Sequence, residues 1–267
     1  MSLQKILIVP DCHFPFHNKK AFELMIKAGK KFKPDVVVVL GDFWDFYSVS
    51  DHLRDADRKL HFKEEIESGL AGLAQLELLG AKRHCFLSGN HEERLIRHFN
   101  KLQQNHELQK LFDAGILSKK TIQDFFGRLG KKWEFTPYRK QLKIGKMTFI
   151  HDLGQAGLGA VTNAETVMQG SVVMGHVHSN QMVIKSNLKG KTHCAASFGW
   201  LGDSNEIEYM AQATVHRHWS LGFGLGFHNE KNGYVYLNSV PIVSEFKLNG
   251  EISAYTCLLN GEIISHI

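Results

Sequence analysis

Short apolar runs alternate with amphipathic stretches through the first hundred residues of the chain. One run, residues 36–40, is almost entirely β-branched, which is typical of a strand covered on both faces. We predict strands at 4–10, 36–40 and 83–89. Apolar positions at helical spacing predict helices at 19–32, near 60–79 and at about 92–103. This alternation of strands and helices indicates an α/β fold.

The second half of the chain has a different pattern. Residues from about 99 to 140 are rich in Lys, Gln, Leu and Phe with helical spacing in pieces, so we predict a helical insertion there. Short apolar stretches with Gly and Asn turns follow it, and they predict strands within 146–152, 170–179, 181–197 and 233–255. Because no linker or low-complexity segment divides the chain, we predict a single domain over residues 1–267.

The composition narrows the class of protein. An apolar fraction of 43% and a charged fraction of 22% are ordinary for a globular protein, and no apolar run is long enough to cross a bilayer. The first residues read as a strand and not as a signal peptide, so we expect a cytoplasmic protein without membrane contact. The four scattered cysteines predict reduced thiols, with Cys12 in the core. A net charge of +5 is too small to establish a nucleic-acid partner.

Polar side chains of the kinds that bind metals collect where the predicted strands end. Two pairs, Asp11/His13 and His176/His178, have a spacing of two, which directs both members of a pair to one side of an extended chain. Loops at the carboxyl ends of strands meet at one edge of a sheet. Carboxylates, imidazoles and an amide oxygen suit Mn, Fe or Zn. The candidates are Asp11, His13, Asp42, Asp45, Asn90, His91, His151, His176 and His178.

The order of these residues resembles the calcineurin-like metallophosphoesterase superfamily. Its motifs are Asp-x-His, Gly-Asp-x-x-Asp, Gly-Asn-His-Glu/Asp, His and Gly-His-x-His, and here they stand as DCH, GDFWD, GNHE, IHD and GHVH. The resemblance covers about residues 5–180, with one departure at Asp152, where members of the family often have Gly. It implies a four-layer α-β-β-α sandwich and a hydrolase that acts on phosphate esters with a binuclear metal centre.

The resemblance also implies which residues bind each metal ion. Asp42 would bridge two divalent ions, which we expect to be Mn, with Fe, Zn or Ni as alternatives. One ion would be held by Asp11, His13, Asp42 and His178, and the other by Asp42, Asn90, His151 and His176. A hydroxide that bridges the ions would attack phosphorus, because bound divalent ions lower the pKa of water from about 15.7 to about 7.

His91 and Asp45 receive catalytic roles from the same resemblance. The equivalent histidine lies near the leaving-group oxygen and stabilises or protonates it, which is typically worth ~10²–10⁴-fold in rate. Asp45 would orient the His91 ring and stabilise its protonated form. We interpret Glu92 and Glu93 as helix-start residues favoured by the helix dipole. We interpret Arg94 as a solvent-facing helix residue, with a phosphate contact as the alternative.

Two features bear on the substrate. Ser/Thr phosphatases of the family usually have Arg-Gly directly after the second motif, whereas this chain has Phe46-Tyr47. The aromatic residues of GDFWDFYS and the basic residues of the insertion would suit a base and a phosphate backbone, with the core and a solvated surface as alternatives. We expect a phosphodiester, nucleotide or nucleic-acid substrate. A phosphomonoester substrate and a non-catalytic scaffold of the same fold are the alternatives.

Overall fold

The computed structural model describes residues 3–50, 62–103, 110, 132–157, 159–186, 188, 190–206 and 218–267. The helices are α1 (Lys19–Phe32), α2 (Phe62–Glu77), α3 (Asn90–Gln103) and α4 (Ala160–Met168), and Tyr47–Val49 forms a 3₁₀ turn. The strands are β1 (Gln4–Val9), β2 (Val36–Val39), β3 (Arg83–Leu87), β4 (Glu134–Thr136), β5 (Leu142–Ile144), β6 (Met147–Ile150), β7 (Val172–Met174), β8 (Asn180–Ser186), β9 (Thr192–Phe198), β10 (Gly222–His228), β11 (Val235–Pro241), β12 (Val243–Phe246), β13 (Ile252–Leu259) and β14 (Glu262–His266).

The first sheet has six strands in the order β11-β10-β1-β2-β3-β4. Strands β1 to β4 are parallel, whereas β10 joins β1 in antiparallel orientation and β11 follows it. All four side chains of β2 are buried, which explains its run of valines. Val37 and Val39 belong to one core cluster and Val36 and Val38 to another, because successive side chains of a strand face opposite sides.

A second sheet of five strands, in the order β5-β6-β7-β9-β8, packs against the first. One buried cluster joins Ile8 of the first sheet to Phe149 and Phe198 of the second. The Phe198 ring packs where β10 presents a glycine, and a Cβ at Gly224 would overlap that ring. The glycines of β10 therefore allow the two sheets to approach closely.

Helices cover the outer faces of the two sheets. Phe22 and Phe32 of α1 lie in a buried cluster with the first sheet and with Leu73 of α2. Val161 and Ala164 of α4 lie in a separate cluster with strands of the second sheet. The mixed α/β fold predicted from the sequence is confirmed.

A third, smaller sheet of β12, β13 and β14 packs against α1. Cys257, Leu259 and Ile264 of this sheet belong to the same buried cluster as the apolar face of α1. Lys31 of α1 also pairs with Glu262 at 2.9 Å, although an exposed ion pair of this kind contributes little. Burial of apolar surface therefore fixes the last strands of the chain on its first helix.

The predicted elements of the first hundred residues agree well with the structure. Helix α1 has the predicted bounds of 19–32. Asn18 caps its start by accepting a hydrogen bond from the backbone N–H of Ala21, and Lys33 in the left-handed conformation follows its end. Helix α3 begins two residues earlier than predicted, so Asn90 and His91 belong to its first turn.

Two strands correct the predicted organisation. Residues 134–136, inside the predicted helical insertion, form β4 and pair with β3. Phe135 of β4 stacks on Phe86 of β3, which gives this segment a reason to join the sheet. Strand β10 was not predicted, because its alternating glycines give one face no apolar signal. Residues 104–109 and 111–131 of the predicted insertion lie outside the described residues.

The cysteines behave as expected for reduced thiols. All four are free, and Cys12 is fully buried in the core, as predicted. Burial raises the pKa of the Cys12 thiol well above its ordinary value, which makes the thiolate form unfavourable. Within the described part of the chain, no helix has the length and apolar character needed to span a membrane.

Gly69 of α2 generates a prediction about packing. It lies against the buried indole of Trp44, and a Cβ at Gly69 would overlap the ring. We expect Gly69→Ala to lower the free energy of unfolding by about 1–3 kcal/mol, because the indole must move. Chemical denaturation measures the change. Gly170→Ala is the control, since a Cβ there meets nothing closer than 3.6 Å. Equal midpoints for both variants and the unchanged protein would contradict the prediction.

Candidate metal centre

The nine predicted site residues all lie at the carboxyl ends of strands, seven in loops and Asn90 and His91 in the first turn of α3. The first sheet contributes Asp11 and His13 after β1, Asp42 and Asp45 after β2, and Asn90 and His91 after β3. The second sheet contributes His151 after β6, and His176 and His178 after β7. Because the sheets pack together, these loops meet at a single rim. Seven of the nine residues are buried, and Asn90 and His176 are partly exposed.

Asp11, His13 and His178 form one group at this rim. Asp11 Oδ2 lies 3.1 Å from His178 Nε2, and the Nε2 atoms of His13 and His178 lie 3.2 Å apart. The other oxygen, Asp11 Oδ1, is buried and has no hydrogen-bond partner among the described residues. One ligand atom from each residue lies within 4.8 Å of the others, a separation that one cation can span.

Asp42, His151 and His176 form a second group within the same 4.8 Å limit. His151 Nε2 lies 3.3 Å from Asp42 Oδ2 and 3.0 Å from Asn90 Oδ1. His151 Nδ1 lies 2.9 Å from the backbone carbonyl oxygen of Leu40, and this hydrogen bond fixes the ring with Nε2 directed at the group. The Asp42 charge also acts on the pKa values of residues in the first group, so the two groups adjoin.

Asp45 lies between His13 and His91. Its carboxylate accepts a hydrogen bond from His13 Nδ1 at 3.0 Å and lies 3.5 Å from His91 Nδ1. His91 Nδ1 is closer to the backbone carbonyl of Asp45, at 2.7 Å. The main chain of Asp45 thus makes the closest contact with His91. The carboxylate holds His13, in the arrangement by which carboxylates orient metal-binding histidines.

The buried carboxylates and histidines of this rim shift one another's pKa values. Burial disfavours a charged His151, but the Asp42 carboxylate raises its pKa to about 10. Burial likewise opposes ionisation of Asp42, yet His151 and His91 hold the pKa of Asp42 well below its ordinary value. At His91 the effect of burial exceeds that of the neighbouring carboxylates, so its pKa is lowered to about 4. Positive charge is therefore stabilised beside Asp42 on the His151 side.

Four of the candidate ligands have a left-handed backbone conformation. The φ angles are 58° at His13, 46° at Asp42, 65° at His176 and 54° at His178. Each such residue costs of order 1–3 kcal/mol and persists where its surroundings fix it, most often at functional sites. Here the fixing bonds join different loops, since His13 N–H donates to the Asp42 carbonyl and His176 N–H donates to Asp11 Oδ2.

Glycines in the motifs let the loops approach one another. A Cβ at Gly89 would overlap the Asp42 carboxylate, and a Cβ at Gly175 would lie 2.7 Å from Asp11 Oδ1. Each glycine therefore brings the backbone of one loop against the carboxylate of another. This close approach explains why a glycine precedes Asn90 and His176 in the two motifs.

Glu92 does more than the predicted helix-start role. Its buried carboxylate accepts hydrogen bonds from the backbone N–H groups of residues 42–44 at 2.9–3.0 Å. It also accepts one from Gly89 N–H at 2.7 Å, as the glutamate of a capping box does. Burial and the Asp42 charge raise its pKa to about 7. The sequence interpretation was therefore incomplete, because Glu92 joins the loop after β2 to the start of α3.

Arg94 does not face solvent as interpreted from the sequence. It is half-buried, and its guanidinium lies 3.1 Å from His91 Nε2 and 3.3 Å from the backbone oxygen of Asp45. Arg94 follows His91 by three residues in α3, and residues at that spacing share one helix face. This spacing was the sequence signal for the contact.

The aromatic residues that contact the site are not the ones that the sequence suggested for stacking on a base. Phe43 and Phe46 are fully buried in the core and offer no surface for stacking. Trp200 stacks on the His178 ring instead, with centroids 5.0 Å apart, and Trp219 contacts the same ring edge-on at 4.2 Å. These tryptophans were missed because they lie far along the chain from the motifs.

A family model of calcineurin-like phosphoesterases matches residues 4–180. The chain therefore belongs to the calcineurin-like phosphoesterase family, as its motifs predicted. Similar solved structures include Vps29 of Entamoeba histolytica, with 12% identity, a TM-score of 0.44 and coverage of 98% of this chain and 97% of that one. A dimetal phosphatase from Danio rerio has 11% identity, a TM-score of 0.40 and coverage of 85% and 93%. A phosphatase from Mycoplasma pneumoniae has 12% identity and a TM-score of 0.39, with coverage of 91% of this chain and 94% of that one. A search of curated protein sequences found no match.

The side chains at the rim fit divalent metal ions. They offer carboxylate, imidazole and amide donors, a set that suits first-row divalent ions. Asp11 Oδ1 is buried without a hydrogen-bond partner in the part of the chain that the structure describes, and the His13 and His178 Nε2 atoms approach closely; a cation would stabilise both features. Members of this phosphoesterase family use divalent metals, and the described residues provide groups that hold them.

Glu92 generates a prediction about how the site is held together. We expect Glu92→Gln to lower the free energy of unfolding by about 1.5–3 kcal/mol, because the amide presents an NH₂ group to backbone donors that a carboxylate accepted. Urea denaturation of the two proteins measures the difference. Glu93→Gln is the matched control, since Glu93 follows in the same turn and is half-buried. An equal loss in both variants would be inconsistent with the role given to Glu92.

Proposed function

We propose that the protein is a binuclear metallophosphoesterase that hydrolyses phosphodiesters of nucleosides. The observation that carries this proposal is the convergence of two ligand groups, from loops of both sheets, on one rim. We assign Asp11, His13, Asp42 and His178 to one ion, and Asp42, Asn90, His151 and His176 to the other. Asp42 is the shared ligand, and the 3.3 Å contact with His151 together with its effect on His13 supports that role.

The bound ions would supply Lewis-acid chemistry, polarising the phosphoryl group and lowering the pKa of water. The protein's own groups hold and orient the reactants. Asp45 orients His13 through Nδ1, and its main-chain oxygen orients His91. His91 Nε2 lies 3.8 Å from Asp42 Oδ2, at the edge of the metal groups. Nε2 accepts from Arg94 here and burial lowers the pKa of His91 to about 4, so we assign to this nitrogen a proton that it would gain only when the substrate phosphate brings its negative charge to the site.

A cleft beside the metal groups supports a nucleoside as part of the substrate. It encloses about 260 Å³, and Trp219 is the partly exposed aromatic residue of its lining, with the nearly buried Trp200 and Tyr255 beside it. Asn18 and Asp203 supply hydrogen-bonding groups, and none of its described lining residues is basic. Aromatic rings stack on bases with about 1–3 kcal/mol per base, and this lining suits an uncharged base and sugar better than a second phosphate. The basic insertion, which gave the earlier reason for a nucleic-acid partner, lies largely outside the described residues.

A phosphomonoesterase is the alternative enzyme, and activity on two model substrates separates the two. We expect the manganese-loaded protein to hydrolyse bis-p-nitrophenyl phosphate with a higher kcat/KM than p-nitrophenyl phosphate. The reverse ranking would support the monoesterase. A non-catalytic scaffold is the other alternative, and the presence of all nine predicted residues at one rim favours the enzyme. We further propose that the whole chain acts as one domain and that it works in the cytoplasm, where free thiols stay reduced.

Metal content tests the proposed ligand set. We expect protein loaded with manganese to retain about two ions per chain after removal of excess metal, as measured by elemental analysis. Asp42→Asn is expected to retain fewer, because the shared ligand loses its charge. Asp35→Asn is the control, since Asp35 caps the start of β1 by accepting the Lys5 N–H at a distance from the rim. Absence of bound Mn, Fe, Zn and Ni from the unchanged protein would favour the scaffold.

His91 supplies a test of the proton transfer. We expect His91→Asn to reduce kcat on bis-p-nitrophenyl phosphate by ~10²–10⁴-fold while metal content stays at the unchanged level, because His91 acts on the leaving group. His98→Asn, on the same helix farther from the rim, is the control and should retain full turnover. Full turnover in His91→Asn would remove His91 from the catalytic assignment.

A further inference from the structure

Arg94 is a cation placed at the rim of the metal groups. Its two terminal nitrogens are directed at one place, with Nη2 3.1 Å from His91 Nε2 and Nη1 3.3 Å from the Asp45 carbonyl. His91 Nε2 is also the nitrogen that lies 3.8 Å from Asp42. The guanidinium is therefore next to the edge of the site where we place the leaving group.

The charge of Arg94 has no ion-pair partner within the described part of the chain, where its polar contacts are His91 and the Asp45 carbonyl. Arg83, by contrast, is paired as structural arginines usually are, since its guanidinium donates to the Glu134 carboxylate at 2.7 and 2.9 Å. The Arg94 charge helps to lower the pKa of Asp45, but the Asp45 carboxylate is engaged by His13. A half-buried guanidinium beside an imidazole gains more from an anion than from either contact it makes.

The hydrogen-bonding capacity of Arg94 is also only partly used. A guanidinium has five N–H donors in a fixed planar arrangement, and the two contacts leave donors for a ligand. That geometry matches two oxygens of a phosphate group. Phosphoryl transfer spreads negative charge over the non-bridging oxygens, and fixed donors directed at them stabilise the transition state.

We propose that Arg94 is a further substrate-binding and catalytic residue, whose guanidinium donates hydrogen bonds to a non-bridging oxygen of the substrate phosphate. This inference rests on the proposed phosphoesterase function and specifies how the phosphate is held. At this edge His91 would act on the leaving-group oxygen, and Arg94 would donate hydrogen bonds to an oxygen that stays on phosphorus. The neighbouring Arg97 is exposed and lies on the next turn, so it takes no part.

The competing explanation is that Arg94 only positions His91. Measuring Arg94→Ala in a His91→Asn background separates this explanation from direct contact with phosphate. Inorganic phosphate is the probe, and its Kd for manganese-loaded protein is measured by calorimetry. We expect Arg94→Ala to raise this Kd by about tenfold to hundredfold, both in the otherwise unchanged protein and in the His91→Asn background. Arg94→Lys should recover part of the loss, because it restores charge without the planar fork. Arg97→Ala should leave the Kd within about twofold.

The outcomes separate this inference from the proposed function. An unchanged Kd in Arg94→Ala, or a loss that disappears in the His91→Asn background, would overturn the role of Arg94 while turnover by the unchanged protein still supported a phosphoesterase. Arg94-dependent phosphate binding by a protein that hydrolyses neither model substrate would support the contact and refute the activity. Failure of the manganese-loaded protein to bind phosphate at all would overturn both.

Discussion

The Glu92 carboxylate makes the interaction on which the shape of the site most depends. It binds three successive backbone N–H groups of the loop after β2 and the Gly89 N–H before α3. One buried charge thus fixes the left-handed turn at Asp42 and the position of Asn90 and His91 together. Charge-assisted hydrogen bonds offset only part of the cost of burying it, since burial and the Asp42 charge still raise the pKa of Glu92 to about 7. The geometry of the candidate metal site is therefore built by the chain itself.

The backbone strain at the site follows from this arrangement. His13 and Asp42 hold left-handed conformations, and each is fixed by a hydrogen bond to a different loop. His176 is held in the same way by the Asp11 carboxylate. A loop with a relaxed backbone would spread the ligands apart, so the strain is the means by which separate strands direct side chains at common points. Preorganised ligands need little rearrangement when a cation binds.

The sequence predicted the parts of the molecule that depend on local pattern. The valine run of β2, the capped helix α1 and the order of the five motifs could all be interpreted without long-range knowledge. The rest depends on partners distant in sequence. Strand β10 carries glycines where Phe198 of the second sheet packs against it, and Glu92 is buried because the loop at 42–44 needs an acceptor. Trp200 meets His178 because β9 lies next to β7 in the second sheet.

The close approach at Gly89 and Gly175 has a consequence for how this site can diversify. The floor is assembled from backbones in contact with carboxylates, so it has no room for added side-chain atoms. Room for variation is left at the walls, where Trp219 and the segment after Trp200 border the cleft that we propose binds the substrate. Related proteins would keep this rigid floor and vary the surrounding loops, so that the substrates would change while the chemistry stays the same.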